Sequence, residues 1–80
     1  MPRRRHRNHL PIRPTWRCQA CGIAWPCSPA KLRLLGEYRQ DRLALTIYLA
    51  TLQAEAGEHL RDVDPARLTE RFFSWTRARG

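Results

Sequence analysis

Thr15-Trp16-Arg17-Cys18-Gln19-Ala20-Cys21-Gly22-Ile23-Ala24-Trp25-Pro26-Cys27 is the stretch on which the reading of this chain turns. It holds all three cysteines of the 80 residues, spaced Cys18-x2-Cys21-x5-Cys27. A C-x-x-C pair lets two thiolates take one ion from a single turn, with sulfurs about 2.3 Å from a zinc ion and spread toward tetrahedral angles. Gly22, directly after Cys21, permits the positive φ that such a turn needs. Cys27 stands just before a helix start, where the positive end of the helix dipole favours a thiolate. The competing use of a C-x-x-C pair, thiol redox chemistry, belongs with a strand-then-helix α/β unit that this sequence lacks. The cysteines therefore predict one metal centre, most simply a structural zinc.

A structural zinc takes four ligands, so the centre needs one more. The three histidines are the candidates. His9 comes first, because Pro11 and Pro14 stiffen the segment that would fold back onto the cysteines. His59 falls near the end of a helix beside Tyr48 and Leu52, where it reads more simply as a structural residue. His6 sits in a run of arginines and reads as solvated. Three thiolates and one neutral imidazole around Zn2+ leave a charge of −1, which Arg13 and Arg17 are placed to offset. Trp16 and Trp25 flank the cysteines and are expected to shield the metal and join it to the core rather than to stack on bases.

Outward from this knuckle the sequence reads as helical. Ser28-Pro29 gives an N-cap and a first-turn proline for a helix over about 29–39, weakened at Gly36 by roughly 1 kcal/mol relative to alanine. Asp41 caps a longer helix over about 42–60 with apolar residues on two sides. Leu45, Tyr48, Leu49, Leu52, Ala56 and Leu60 share one side, and Leu43, Ile47, Ala50 and Ala54 share the other. A helix apolar on two sides is expected to lie centrally with a neighbour on each. A dimer surface is the competing use of the second side. Asp64-Pro65 repeats the cap signature and starts a third helix over about 65–78, with Leu68, Phe72 and Trp75 as its apolar stripe. The predicted architecture is mainly α: a metal knuckle followed by a three-helix bundle over 15–80, preceded by a basic, disordered arm over 1–14.

The net charge of +8 is unevenly spread. Residues 1–17 carry six arginines and no acid, whereas the rest carry nine basic against seven acidic residues. Arg3, Arg4, Arg5 and Arg7 form a compact run suited to phosphate contact, which would be salt-dependent through counterion release. No base-reading motif accompanies it, so such contact would be largely sequence-independent and leaves DNA, RNA or a nucleic-acid-bound protein equally open. A solvated tail is the plainer reading of the same run. No apolar run is long enough to span a bilayer, and none follows the basic N-terminus as a secretory leader would require, so the expected location is the cytoplasm. Glu37 and Asp41 are the nearest acids after Cys27 and lie ten or more residues on, too far to suggest a general base, so no enzyme and no small-molecule substrate are expected.

The pattern from His9 through Pro11, Arg13, Pro14, Trp16, Cys18, Cys21, Gly22, Trp25 and Pro26 to Cys27 resembles a group of small uncharacterised actinobacterial proteins sharing H-x-P-x-R-P-x-W-x-C-x-x-C-G-x-x-W-P-C. Tyr48-Leu49-Ala50 and Arg71-Phe72-Phe73-Ser74-Trp75-Thr76-Arg77 are also similar to that group. The resemblance implies that His9 is a motif position and strengthens it as a ligand. Members sometimes carry the label flavin reductase, but this chain has no phosphate-cradling Gly-rich turn. The C-x2-C-x5-C spacing is similar, more distantly, to the WhiB-like iron–sulfur regulators. That second likeness implies an iron–sulfur cluster as the alternative cofactor, although the fourth cysteine and the Gly/Trp-rich turn of those proteins are missing here.

Overall fold

The computed structural model of the chain describes residues 8–77. It is mainly helical, with three α-helices and one small two-stranded sheet. Strands β1 (Pro11–Ile12) and β2 (Arg17–Cys18) pair antiparallel, Pro11 opposite Cys18 and Ile12 opposite Arg17. A further antiparallel bridge joins Arg17 to Ala24. Of the disordered arm expected over 1–14, residues 1–7 lie outside the described residues, and by Pro11 the chain has entered the sheet. The Leu10 carbonyl accepts from the Gln19 N–H at 2.8 Å and the Ile12 carbonyl from the Trp16 N–H at 2.6 Å. This segment finds its backbone partners in the knuckle, which sequence-level burial arguments do not register.

Helix α1 spans Ser28–Glu37, with Cys27 rather than Ser28 in the cap position and Ser28 already helical. The Cys27 carbonyl accepts the first-turn bond from Lys31 N–H at 3.0 Å. Helix α2 spans Arg42–His59, and Asp41 caps it by accepting from Ala44 N–H at 3.0 Å. Helix α3 spans Pro65–Phe73, capped by Asp64 through Ala66 N–H at 2.9 Å. It is shorter than the expected 65–78, since Ser74–Thr76 forms a single 3-10 turn. Side chains take over the carbonyls there: Trp75 Nε1 donates to the Arg71 carbonyl at 3.2 Å and Thr76 Oγ1 to the Phe73 carbonyl at 2.7 Å.

The core is shared between knuckle and helices. Trp16, Cys18, Trp25 and Cys27 are buried together with Ala30 and Leu34 of α1, Leu45, Leu49, Leu52 and Ala56 of α2, and Leu68 and Phe72 of α3. Phe72 is the meeting point, edge-on to Trp16 at 6.0 Å and tilted against Trp25 at 5.8 Å between ring centroids, a spacing at which aromatic pairs attract. Only the Leu45–Ala56 side of α2 faces this core. On the other side Leu43 is 70 % and Ile47 58 % exposed, and Ala50 and Ala54 are exposed as well. This corrects the expectation of a neighbour on both sides. The nine-residue α3 is too short to flank an eighteen-residue helix on a second face while it also covers the knuckle.

Candidate metal centre

The turn from Cys18 to Gly22 is built by its own backbone. Gly22 N–H donates to the Cys18 carbonyl at 2.8 Å, and Cys21 N–H donates to the Cys18 Sγ at 3.3 Å. Gly22 sits at φ +79, in the left-handed region where a side chain would be strained. Cys27 arrives from the far side of the loop at the cap of α1. His9 is tied in by its neighbours, its carbonyl accepting from Trp25 Nε1 at 2.9 Å.

These elements bring His9, Cys18, Cys21 and Cys27 into one group whose ligand atoms all lie within 4.8 Å of one another and that could hold a metal ion. His9 Nδ1 is 3.3 Å from Cys18 Sγ, 3.4 Å from Cys21 Sγ and 3.3 Å from Cys27 Sγ. Cys18 and Cys27 are 3.5 Å apart, sulfur to sulfur. A tetrahedral ion with bonds of about 2.3 Å to sulfur and 2.0 Å to nitrogen has edges of about 3.8 Å between sulfurs and 3.5 Å between nitrogen and sulfur. The three nitrogen–sulfur separations and the Cys18–Cys27 edge match that tetrahedron to within a few tenths of an ångström.

The charges inside the group are strongly unequal. Burial pushes the Cys18 thiol up, but N–H groups of Cys21 and Ala20, with Cys27 and His9, outweigh it and hold Cys18 down at about 6. Cys21 is pushed up to about 11, by desolvation and then by its neighbours Cys27 and Cys18. Three thiolates so close cannot all ionise without a cation among them. Cys18 and Cys27 are buried, whereas Cys21 is exposed.

The surroundings differ in part from expectation. Arg17 lies beside the centre, donating to the Gly22 carbonyl at 3.0 Å. Arg13 instead forms a two-pronged pair with Glu55 at 2.7 and 3.0 Å and lies over the Trp16 ring at 4.7 Å. It is committed to the α2 surface and not to offsetting the metal site. His59 lies outside the donor group and accepts from Trp16 Nε1 at 3.0 Å, a structural role. Trp16 and Trp25 are fully buried, as shielding residues must be. Arg3, Arg4, Arg5, Arg7 and His6 lie outside the described residues.

Arg71 is a residue to which the sequence assigned no part in the centre. Its Nε donates to the Trp25 carbonyl at 2.7 Å and its Nη2 to the Trp16 carbonyl at 2.8 Å. One guanidinium thus bolts α3 to both tryptophans flanking the cysteines, and burial lowers its pKa. The signal was available: position 71 falls between Leu68, Phe72 and Trp75 on the apolar stripe, so its head group had to find acceptors at the core's edge. Comparisons with protein-family models, with curated proteins and with solved structures find no match for this chain.

Proposed function

We propose that this is a small zinc-organised helical adaptor or regulatory protein, its three helices bundled onto a His9, Cys18, Cys21, Cys27 centre, that contacts nucleic acid or a nucleic-acid-bound protein through the arginines of its N-terminal arm. The zinc reading rests on the convergence of four donor atoms within 4.8 Å. An iron–sulfur cluster of the WhiB-like kind would set its thiolates on different irons and spread them beyond one ion's tetrahedron, so the compact donor set favours a single ion. Three cysteines and a histidine are a common structural zinc set. They fill all four positions and leave none for a substrate water, which supports a structural rather than a catalytic role. No helix among the described residues is long and apolar enough to cross a membrane, which accords with the proposed cytoplasmic location.

Native mass spectrometry with metal analysis tests the first half: one zinc per chain is expected, and a folded chain with no metal or with inorganic sulfide refutes it. His9→Ala should lower zinc affinity at least about tenfold through loss of a ligand. The second half is tested by binding to duplex DNA and single-stranded RNA at several salt concentrations, with and without residues 1–8. The arm carries four arginines in a row of five positions and the helical part is nearly charge-balanced. Binding that weakens with salt and vanishes on truncation is expected; affinity untouched by truncation refutes the contact.

A second reading, as a protein-interaction or dimerisation module, is favoured by the exposed Leu43 and Ile47 on α2. Its measure is the mass in solution of the chain and of an Ile47→Asp variant. A monomer at all concentrations removes the dimer.

A further inference from the structure

Of the four ligand residues in the proposed zinc centre, two are buried, one is half-buried and one is exposed. Cys18 is 0 % and Cys27 2 % exposed, and His9 is half-buried, but Cys21 is open to solvent. Open space also borders the next residue. A Cβ placed on Gly22, the next residue, would meet nothing within 4 Å. The centre presents a single sulfur at the surface with two more sulfurs within 4.8 Å of it.

We infer that Cys21 is a modification site at which peroxides and soft electrophiles open the metal centre. The inference rests on the zinc reading above and extends it to regulation of the same site. The Cys21 thiolate attacks one oxygen of hydrogen peroxide; an S–O bond forms, the O–O bond breaks, and hydroxide departs and takes up a proton from solvent as water. The Cys18 thiolate, which lies on the same turn and accepts the Cys21 N–H at 3.3 Å, then attacks the Cys21 sulfur. The S–S bond forms, the S–O bond breaks, and a second hydroxide leaves. Two sulfurs are oxidised by one electron each and the peroxide is reduced to two water equivalents. Two of the four ligands are consumed, and the zinc, unchanged in oxidation state, departs. A maleimide or other alkylating agent reaches the same end in one step, by an S–C bond at Cys21.

The test uses the full chain loaded with zinc, after its zinc content has been measured. One equivalent of N-ethylmaleimide is added beside a chromogenic zinc chelator, and the labelled cysteines are mapped by mass spectrometry. Cys21 should carry about tenfold more label than Cys18 or Cys27, and zinc release should follow Cys21 labelling one for one. Hydrogen peroxide should give a Cys18–Cys21 disulfide that dithiothreitol reverses with renewed zinc uptake. Cys21→Ser should slow peroxide-driven release about tenfold; the mapping on the unaltered chain stands even where that variant folds poorly. A chain that holds no zinc before reagent is added refutes the metal reading and this proposal with it. A chain that holds zinc but is labelled evenly, is labelled first at Cys18 or Cys27, or keeps its zinc in peroxide refutes this proposal alone.

Discussion

At Arg71 a single side chain joins the C-terminal helix to the metal knuckle. Its two donors satisfy carbonyls of Trp16 and Trp25, and the Trp16 carbonyl also accepts from Trp25 N–H at 2.9 Å. Arg71→Met fills the space but leaves the Trp25 carbonyl without its guanidinium partner, so a loss of about 2 kcal/mol is expected in denaturant unfolding of the zinc-loaded chain. Arg71→Lys keeps the charge and loses the fork, and should recover less than half of that. Wild-type stability in either variant would mean that the latch contributes nothing. Trp16 makes the complementary point. Its φ of 59 places a bulky residue in the left-handed region, at a cost of about 1 kcal/mol. The surroundings fix it there: the ring is fully buried, packs on Phe72, lies under Arg13 and donates to His59. Trp16→Phe and His59→Ala should each cost about 1 kcal/mol or more, and a double-mutant cycle should return about 1 kcal/mol of coupling. Additive losses would show that the indole bond adds no stability.

Among the elements, the knuckle was legible in the sequence and the surroundings of α2 were not. Cysteine spacing, Gly22 and the two tryptophans are local signals, and each states its own geometry. Periodicity found both apolar sides of α2 correctly, but which side has a partner depends on how much chain is left to cover it, and that is a property of the neighbours' lengths. The consequence is measurable. Leu49→Ala, on the buried side, should cost about 2–5 kcal/mol, whereas Ile47→Asp should stay within about 0.5 kcal/mol at concentrations where the chain is monomeric. A large loss from Ile47→Asp in the monomer would mean that this face is covered after all. The knuckle carries its own pH dependence. Cys18, held at about 6, has already lost its proton at neutral pH, while Cys21, at about 11, must give one up when the ion binds. Protons compete with the metal, so affinity falls as pH falls, and the Cys21 proton alone should make it rise about tenfold from about pH 7 to about pH 8. Competition titrations with a chelator check this, and an affinity flat across that range would mean that Cys21 does not ligate.

For the molecule as a whole, the proposed zinc centre raises the question of what the helices would do without an ion. A chain of 80 residues has a core that rarely supplies more than about 3–5 kcal/mol on its own, and structural zinc binding is worth about 10–16 kcal/mol in small folds. Here the knuckle is not an appendage to a finished helical core. It contributes Trp16, Cys18, Trp25 and Cys27 to the buried cluster, and Phe72 of α3 packs on both tryptophans. Without the ion, nothing draws the three sulfurs together, the turn from Cys18 to Cys27 loses its centre, and the two rings lose the scaffold that holds them against α3. The acceptors of Arg71 move with them. Helices α2 and α3 would then retain their mutual contact, which includes the Gln53 Nε2 bond to Thr69 Oγ1 at 2.9 Å, but too little apolar surface to offset the entropy of ordering the chain. Chelation of zinc should therefore abolish most far-ultraviolet helical signal and shift tryptophan emission to the red in one concerted transition, reversed by adding zinc. Helical signal that survives chelation while the tryptophans become exposed would show two independent units, and would overturn the shared core as the basis of this fold.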